Sequence, residues 1–77
     1  MVRYKMYFKR IKDMRIDRDL RQKDVAEILG CHEGCYRRYE NGSRDIPLWA
    51  LIKLAESYDV NVDYLLGITN NKRHFGE

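Results

Sequence analysis

At 77 residues the chain has room for one small domain and one modest core, and 44% apolar content with 12% aromatics excludes disorder of the whole chain. No period-2 run supports strands and no βαβ unit would fit, so the expected class is all-α; no apolar run is long enough for a transmembrane helix or secretory signal, which makes the cytoplasm the expected compartment. The net charge of +3 is uneven, with nine Lys/Arg against three Asp/Glu in residues 1–23 and six against nine in residues 24–77, an asymmetry that favours a polyanionic partner, although a basic helix is more often simply a solvated face.

The first helix is predicted over Tyr4–Arg18. Tyr7, Phe8, Ile11 and Met14 form an apolar stripe at helical spacing, and Lys5, Lys9, Arg10 and Lys12 occupy much of the remainder. Arg15 follows Met14 at the edge of that stripe, where a partly buried guanidinium needs an acidic partner. Leu20 closes the connection and packs inward. Arg21 stands where a Ser or Thr cap is expected, so the second helix starts without a good side-chain cap.

The second helix is predicted over Gln22–Leu29, with Val25, Ile28 and Leu29 at i, i+3 and i+4 on one face. Gly30 stops it, because glycine takes positive φ at no steric cost and lets the chain turn sharply. After the turn 30–32, the third helix covers Glu33–Asn41 and points Tyr36 and Tyr39 inward. Ala26 is the small residue where two steeply crossed helices come closest. Two short helices joined by a tight glycine-containing turn describe a helix-turn-helix, whose second helix can enter a DNA major groove.

Asn41-Gly42-Ser43 is a strong stop signal. Pro47 suits the first turn of a fourth helix, Pro47–Tyr58, where its missing N–H does no harm. Leu48, Leu51, Ile52, Leu54, Ala55 and Tyr58 make that helix the central beam of the core, while Trp49 lies off the stripe, placed to pack on the first helix or to face a partner. Asn61 caps a short fifth helix, Val62–Leu66, ended by Gly67. The domain is expected to span residues 1–69 and a flexible polar tail residues 70–77.

The segments KRIKDMR, QKDVAEILG, YRRYENGSRDIP and LIKLAESYDVNVDYLLG, in this order and spacing, resemble the Cro/phage-repressor type of helix-turn-helix, the Xre-like transcriptional regulators, over about Tyr7–Thr69. The resemblance implies a compact five-helix, lambda-repressor-like domain that binds operator double-stranded DNA, commonly as a homodimer. It implies that Arg15 pairs with Glu40, a structural role. Carried over position by position, Gln22 and Lys23 meet a phosphate at the start of the second helix. His32, Glu33, Gly34, Arg37 and Arg38 reach base edges or flanking phosphates, and Asn41 and Arg44 grip the backbone beyond. Gly34 and Glu33 depart from the pattern: one offers no side chain to a base, and the other is repelled by phosphates although it can accept from cytosine N4. Arg37 and Arg38 then carry the compensation, with Arg38 placed for a bidentate guanine contact and Arg37 for a phosphate or solvent. The expected dimer contact is apolar surface around Tyr64, Leu65 and Ile68.

Cys31 and Cys35 flank His32, but a structural zinc site needs four ligands and only distant His74 remains, so no metal is expected. A disulfide is disfavoured in a reducing compartment, and one helical turn between the cysteines would constrain little. Cys31 reads as a small buried hydrophobe at the turn and Cys35 as lying near the DNA-facing surface, which leaves redox control through it open. No nucleophile–base–orienter set or glycine-rich phosphate loop is present, so neither catalysis nor a cofactor or small-molecule ligand is expected. The rival reading is a protein-interaction module of the same fold, an antitoxin or antirepressor-like partner without operator binding, which Gly34 and Glu33 keep in play.

Overall fold

The computed structural model describes residues 8–72. These residues form five α-helices: α1 Lys9–Asp17, α2 Gln22–Leu29, α3 Glu33–Asn41, α4 Leu48–Tyr58 and α5 Val62–Leu66. Among the described residues there is no strand, and no helix is long and apolar enough to cross a membrane. Most of the expected bounds hold. Two starts differ. At Phe8 the backbone is extended (φ −118°, ψ 98°), so α1 begins at Lys9 rather than Tyr4; Tyr4 to Tyr7 lie outside the described residues, as does His74. Pro47 is also extended (φ −72°, ψ 156°) and caps α4 instead of occupying its first turn. Its carbonyl accepts from the Ala50 and Leu51 N–H groups at 3.0 and 3.2 Å, which needs no N–H of its own.

Helix ends explain why the rods are short. After α1, α2, α4 and α5 the chain turns through a left-handed residue: Asp19, Gly30, Asp59 and Gly67, with φ between 54° and 81°. In each case the next N–H reaches back to a carbonyl of the last turn, as Cys31 does to Ala26 at 3.0 Å and Val60 to Ala55 at 3.0 Å. This pairing satisfies carbonyls that the helix cannot. At the start of α5, Asn61 Oδ1 accepts from the Tyr64 N–H at 2.7 Å, the expected cap. At the start of α2, Asp24 reaches back and accepts from the Arg21 N–H at 2.8 Å, whereas the arginine side chain, a pure donor, cannot accept from a first-turn N–H.

The core draws on every helix. Ile11 and Met14, Val25, Ala26 and Leu29, Tyr36 and Tyr39, Leu51, Leu54 and Tyr58, and Leu65 are buried in one cluster. Each large apolar side chain removed from water contributes roughly 1.5–3 kcal/mol. The expected stripes need two corrections. On α2 the buried face is Val25, Ala26 and Leu29, with Ile28 only half-buried. On α4, Leu48 and Ile52 are 66% and 43% exposed, and with Trp49 at 53% they form an outward apolar face. The inward face of α4 uses Ala50 instead.

The basic first helix is largely a packing device. Arg10 stacks on the Tyr64 ring at 4.2 Å and donates to the Tyr64 and Thr69 carbonyls and to Asn70 Oδ1. Arg18 donates to the Tyr58 carbonyl and lies 5.1 Å from that ring. These contacts bind α1 to α5 and to the end of α4. Two of the cations of residues 1–23, Arg10 and Arg18, are thus engaged by the domain itself, while Lys9, Lys12, Arg21 and Lys23 stay exposed. Residues 70–72 are tied back as well: the Asn61 N–H donates to the Lys72 carbonyl at 3.2 Å and the Asn61 amide to the Asn71 carbonyl at 2.7 Å.

Candidate nucleic-acid interface

The inner side of α3 fixes how its outer side is presented. Tyr36, Tyr39 and Glu40 are buried, and Glu40, at 4% exposed, meets Arg15 of α1 in a bidentate pair: Nε to Oε2 at 2.8 Å and Nη2 to Oε1 at 2.9 Å. Arg15 Nη1 also donates to the Leu20 carbonyl at 2.8 Å. Burial alone would raise the Glu40 carboxyl. The hydrogen bonds and charge of Arg15, with the Gln22 amide, outweigh it and hold Glu40 below the usual carboxylate range. The Tyr58 hydroxyl is buried nearby, and burial pushes that phenol up to about 12; desolvation and the Glu40 carboxylate drive Tyr36 higher still. The centre is therefore a charge pair walled by neutral phenols.

With Tyr36, Tyr39 and Glu40 inward, 3.6-residue periodicity points Gly34, Arg38 and Asn41 directly outward, with Arg37 beside them and Glu33 on the flank. Arg37, Arg38, Glu33 and Asn41 are exposed, as is His32, which caps α3 with extended backbone and no side-chain hydrogen bond. Gly34 is half-buried, and a Cβ built there meets nothing within 4 Å. Neither sterics nor a positive φ requires glycine at that position, so the outward row has a gap at its first place.

Gly42, with φ 82°, ends α3, and the Arg44 N–H returns to the Arg38 carbonyl at 3.2 Å. Asn41 Oδ1 accepts from the Ser43 N–H at 2.8 Å and from its hydroxyl. The loop is thereby held against the end of α3, with Arg44 exposed beside it. At the start of α2, Lys23 is exposed and Gln22 half-buried. The Gln22 amide donates to Glu40 Oε1 at 3.3 Å, so the side chain is drawn toward the buried pair. The N–H groups of Gln22 and Lys23, in the first turn, have no partner within the helix. Reading the sequence alone missed Ser43 as the lock on Asn41, and Arg10 and Arg18 as packing cations. A signal existed for Arg18, which continues the Ile11–Met14 stripe at i+4.

Residues 11–65 match the protein-family model described as helix-turn-helix. Three curated relatives share 36–39% identity with the chain. They are the uncharacterized HTH-type transcriptional regulator YobD of Bacillus subtilis (39% over 66 residues, 86% of this chain), the cryptic phage CTXphi transcriptional repressor RstR of Vibrio cholerae (36% over 61 residues, 79%), and the HTH-type transcriptional regulator ImmR of Bacillus subtilis (39% over 59 residues, 77%). The chain spans 59%, 55% and 46% of the length of these three proteins, in that order.

Proposed function

The chain belongs to the helix-turn-helix family, and from that premise we propose that it is a sequence-specific, double-stranded-DNA-binding transcriptional regulator that acts as a repressor in the cytoplasm. The observation that carries this reading is the outer side of α3. Arg37, Arg38 and Asn41 stand exposed on a helix whose inner side is locked by the Arg15–Glu40 pair. Laid in a major groove, Arg38 reaches a guanine O6/N7 edge in bidentate fashion, a contact worth about 1–3 kcal/mol of discrimination. His32, Glu33 and Arg37 contact flanking bases or phosphates. The backbone N–H groups of Gln22 and Lys23 cradle one phosphate at the positive end of α2, with the Lys23 ammonium adding charge, and Asn41 and Arg44 hold the strand beyond. Operator occupancy then excludes polymerase sterically.

One domain of this size reads too few base pairs to select a single site, so two copies act together on a two-fold operator. Of the expected contact around Tyr64, Leu65 and Ile68, only Ile68 is an open apolar side chain, at 72% exposed, whereas Leu65 is fully buried and Tyr64 lies under Arg10. The exposed Leu48–Trp49–Ile52 face of α4 supports a homodimer contact there instead.

The test is titration of the protein against mixed-sequence duplex at two salt concentrations, repeated with Arg38→Ala. Tight low-salt binding that weakens steeply with salt is expected, with a slope near −0.9 for each phosphate neutralised. Sequence preference should relax at one position in the variant. Absence of low-salt binding rejects the regulator reading; preference unchanged in Arg38→Ala rejects that residue's role alone.

A further inference from the structure

The outward face of α4 continues into a groove beside α5. Trp49, Ile52, Lys53 and Glu56 fall at i, i+3, i+4 and i+7, which places them along one side of the helix. All of them are exposed, with Leu48 next to them at 66%. Ile52 also lines the groove, about 330 Å³ in volume, together with Ala55, Val60 and Val62. The rim carries two carboxylates, Glu56 on α4 and Asp63 in the first turn of α5. The ion pairs among the described residues are Arg15–Glu40 and Arg21–Asp24, so the charges of Lys53, Glu56 and Asp63 are left to solvent or to a partner.

We propose that this face seats a second copy of the chain: the Trp49–Ile52 side of one copy packs into the α4–α5 groove of the other, and Lys53 meets the carboxylates on the groove's rim. Two observations name this occupant. The first is charge. A groove rimmed by carboxylates repels DNA phosphate and an anionic membrane surface, and it accepts an apolar side chain with a cation beside it. Trp49, Ile52 and Lys53 present that combination on the same helix. The second is closure. Filler and groove lie within two turns of one helix, about 10 Å apart along its axis, and Ile52 belongs to both. A contact that uses one patch on both copies closes on itself as a two-fold dimer, whereas patches on opposite sides of the molecule would chain copies into a filament. Trp49 is the chain's one tryptophan, the kind of residue that anchors such interfaces from a central pocket. The Lys53 contacts are made twice, once from each copy, at the polar rim, where they select the partner more than they add affinity. The pairing rests on the reading above, in which two copies share a two-fold operator, and it names the surface and the chemistry that hold them together.

The test is sedimentation equilibrium of the free protein from about 1 μM to about 1 mM. The mean mass should rise from one chain toward two and no further. Trp49→Ala should weaken the association about thirtyfold, the scale of a hot-spot residue. Lys53→Glu should abolish it over this range, as should Glu56→Lys with Asp63→Lys, because each puts like charges across the contact. Mixed in equal amounts, the two charge variants should form a mixed dimer about as tight as the parent pair. Circular dichroism checks that each variant is folded; if Asp63→Lys disturbs α5, Glu56→Lys alone carries the comparison. A parent protein that stays one chain throughout overturns the proposal, and so does a mass that climbs past two. A dimer indifferent to Trp49→Ala, or charge variants that fail to combine, overturns it as well. These measurements need no DNA. A chain that pairs yet binds no low-salt duplex rejects the regulator reading alone, and one that binds duplex yet never pairs rejects this surface alone.

Discussion

Replacing Arg15 with alanine leaves the Glu40 carboxylate, 4% exposed, without its charged partner. Breaking a buried pair from one side is expected to destabilise by about 3–5 kcal/mol. The Arg15 side chain is itself 14% exposed, so water can enter where the guanidinium was, and Gln22 still donates to Oε1. Both moderate the loss and place Arg15→Ala near the lower end, about 3 kcal/mol. Glu40→Ala should lose slightly less, since the freed guanidinium keeps the Leu20 carbonyl and lies closer to solvent. A domain of this size has roughly 4–12 kcal/mol in all, so either variant should melt about 12–24 °C lower. The measurement is urea unfolding followed by far-ultraviolet circular dichroism, because Trp49 is half-exposed and its fluorescence reports folding poorly. The double variant should lose less than the two single losses added, by about 1–3 kcal/mol. Additivity within about 0.5 kcal/mol would mean that the two side chains stabilise independently, and the pairing argument fails.

Three further outcomes follow from the same geometry. Gly34→Ala and Gly30→Ala should differ in sign: the first removes a helix-interior glycine with open space around it and should stabilise by about 1 kcal/mol, whereas the second forces a side chain into φ +72° and should destabilise by about 1–2 kcal/mol; equal signs in a pair of melting curves would reject this account of the turn. Glu40 is held below the usual carboxylate range, so its contribution is present above the unfolded value near 4.3 and is lost as pH falls through the folded value; urea midpoints taken against pH should drop on that acid limb, and Glu40→Gln should flatten it. Arg10→Ala removes a ring contact and carbonyl bonds that join α1 to α5 and residue 69; a loss of about 1–2 kcal/mol is expected with duplex affinity unchanged, and weaker duplex binding by a fully folded variant would restore Arg10 to the DNA footprint.

The parts legible in the sequence were those that local chemistry dictates. Gly30 and Gly67 ended α2 and α5, and Asn61 capped α5, because left-handed turns and N-terminal acceptors need particular residue types whatever surrounds them. The Arg15–Glu40 pair followed from the family resemblance together with the need of an edge arginine for a partner. Tertiary packing decided the rest. Leu48 and Ile52 share a helix face with no partner in the described fold, and hydropathy cannot tell such a face from core. Ile28 ceded its place to Ala26 because α2 packs most closely on α3, where a small residue permits the approach. Asp19 and Asp59 adopt the conformation usually left to glycine, which aspartate tolerates at modest strain, and the helix ends expected at Arg18 and Tyr58 fall within one residue of those observed.

Charge counting, for a related reason, treats all cations alike. An arginine over a tyrosine ring with its donors on carbonyls stabilises the fold yet adds little directional attraction for a distant phosphate. Arg10 and Arg18 are of this kind, and Arg15 is held by the Glu40 carboxylate and the Leu20 carbonyl. Exposed cations around the helix-turn-helix include Arg21, which pairs with Asp24, and Lys23, Arg37, Arg38 and Arg44, and the last four lie on α3 and its two flanks. The same helix carries Glu40 on its inner side. Its outward aim therefore depends on a buried contact one turn or less from Arg37 and Arg38. A variant at Glu40 that remains folded should lose sequence preference along with affinity, whereas a variant at Arg44 should lose affinity evenly across sequences. That division between aiming and gripping is a property of where the charges are fixed, not of how many there are.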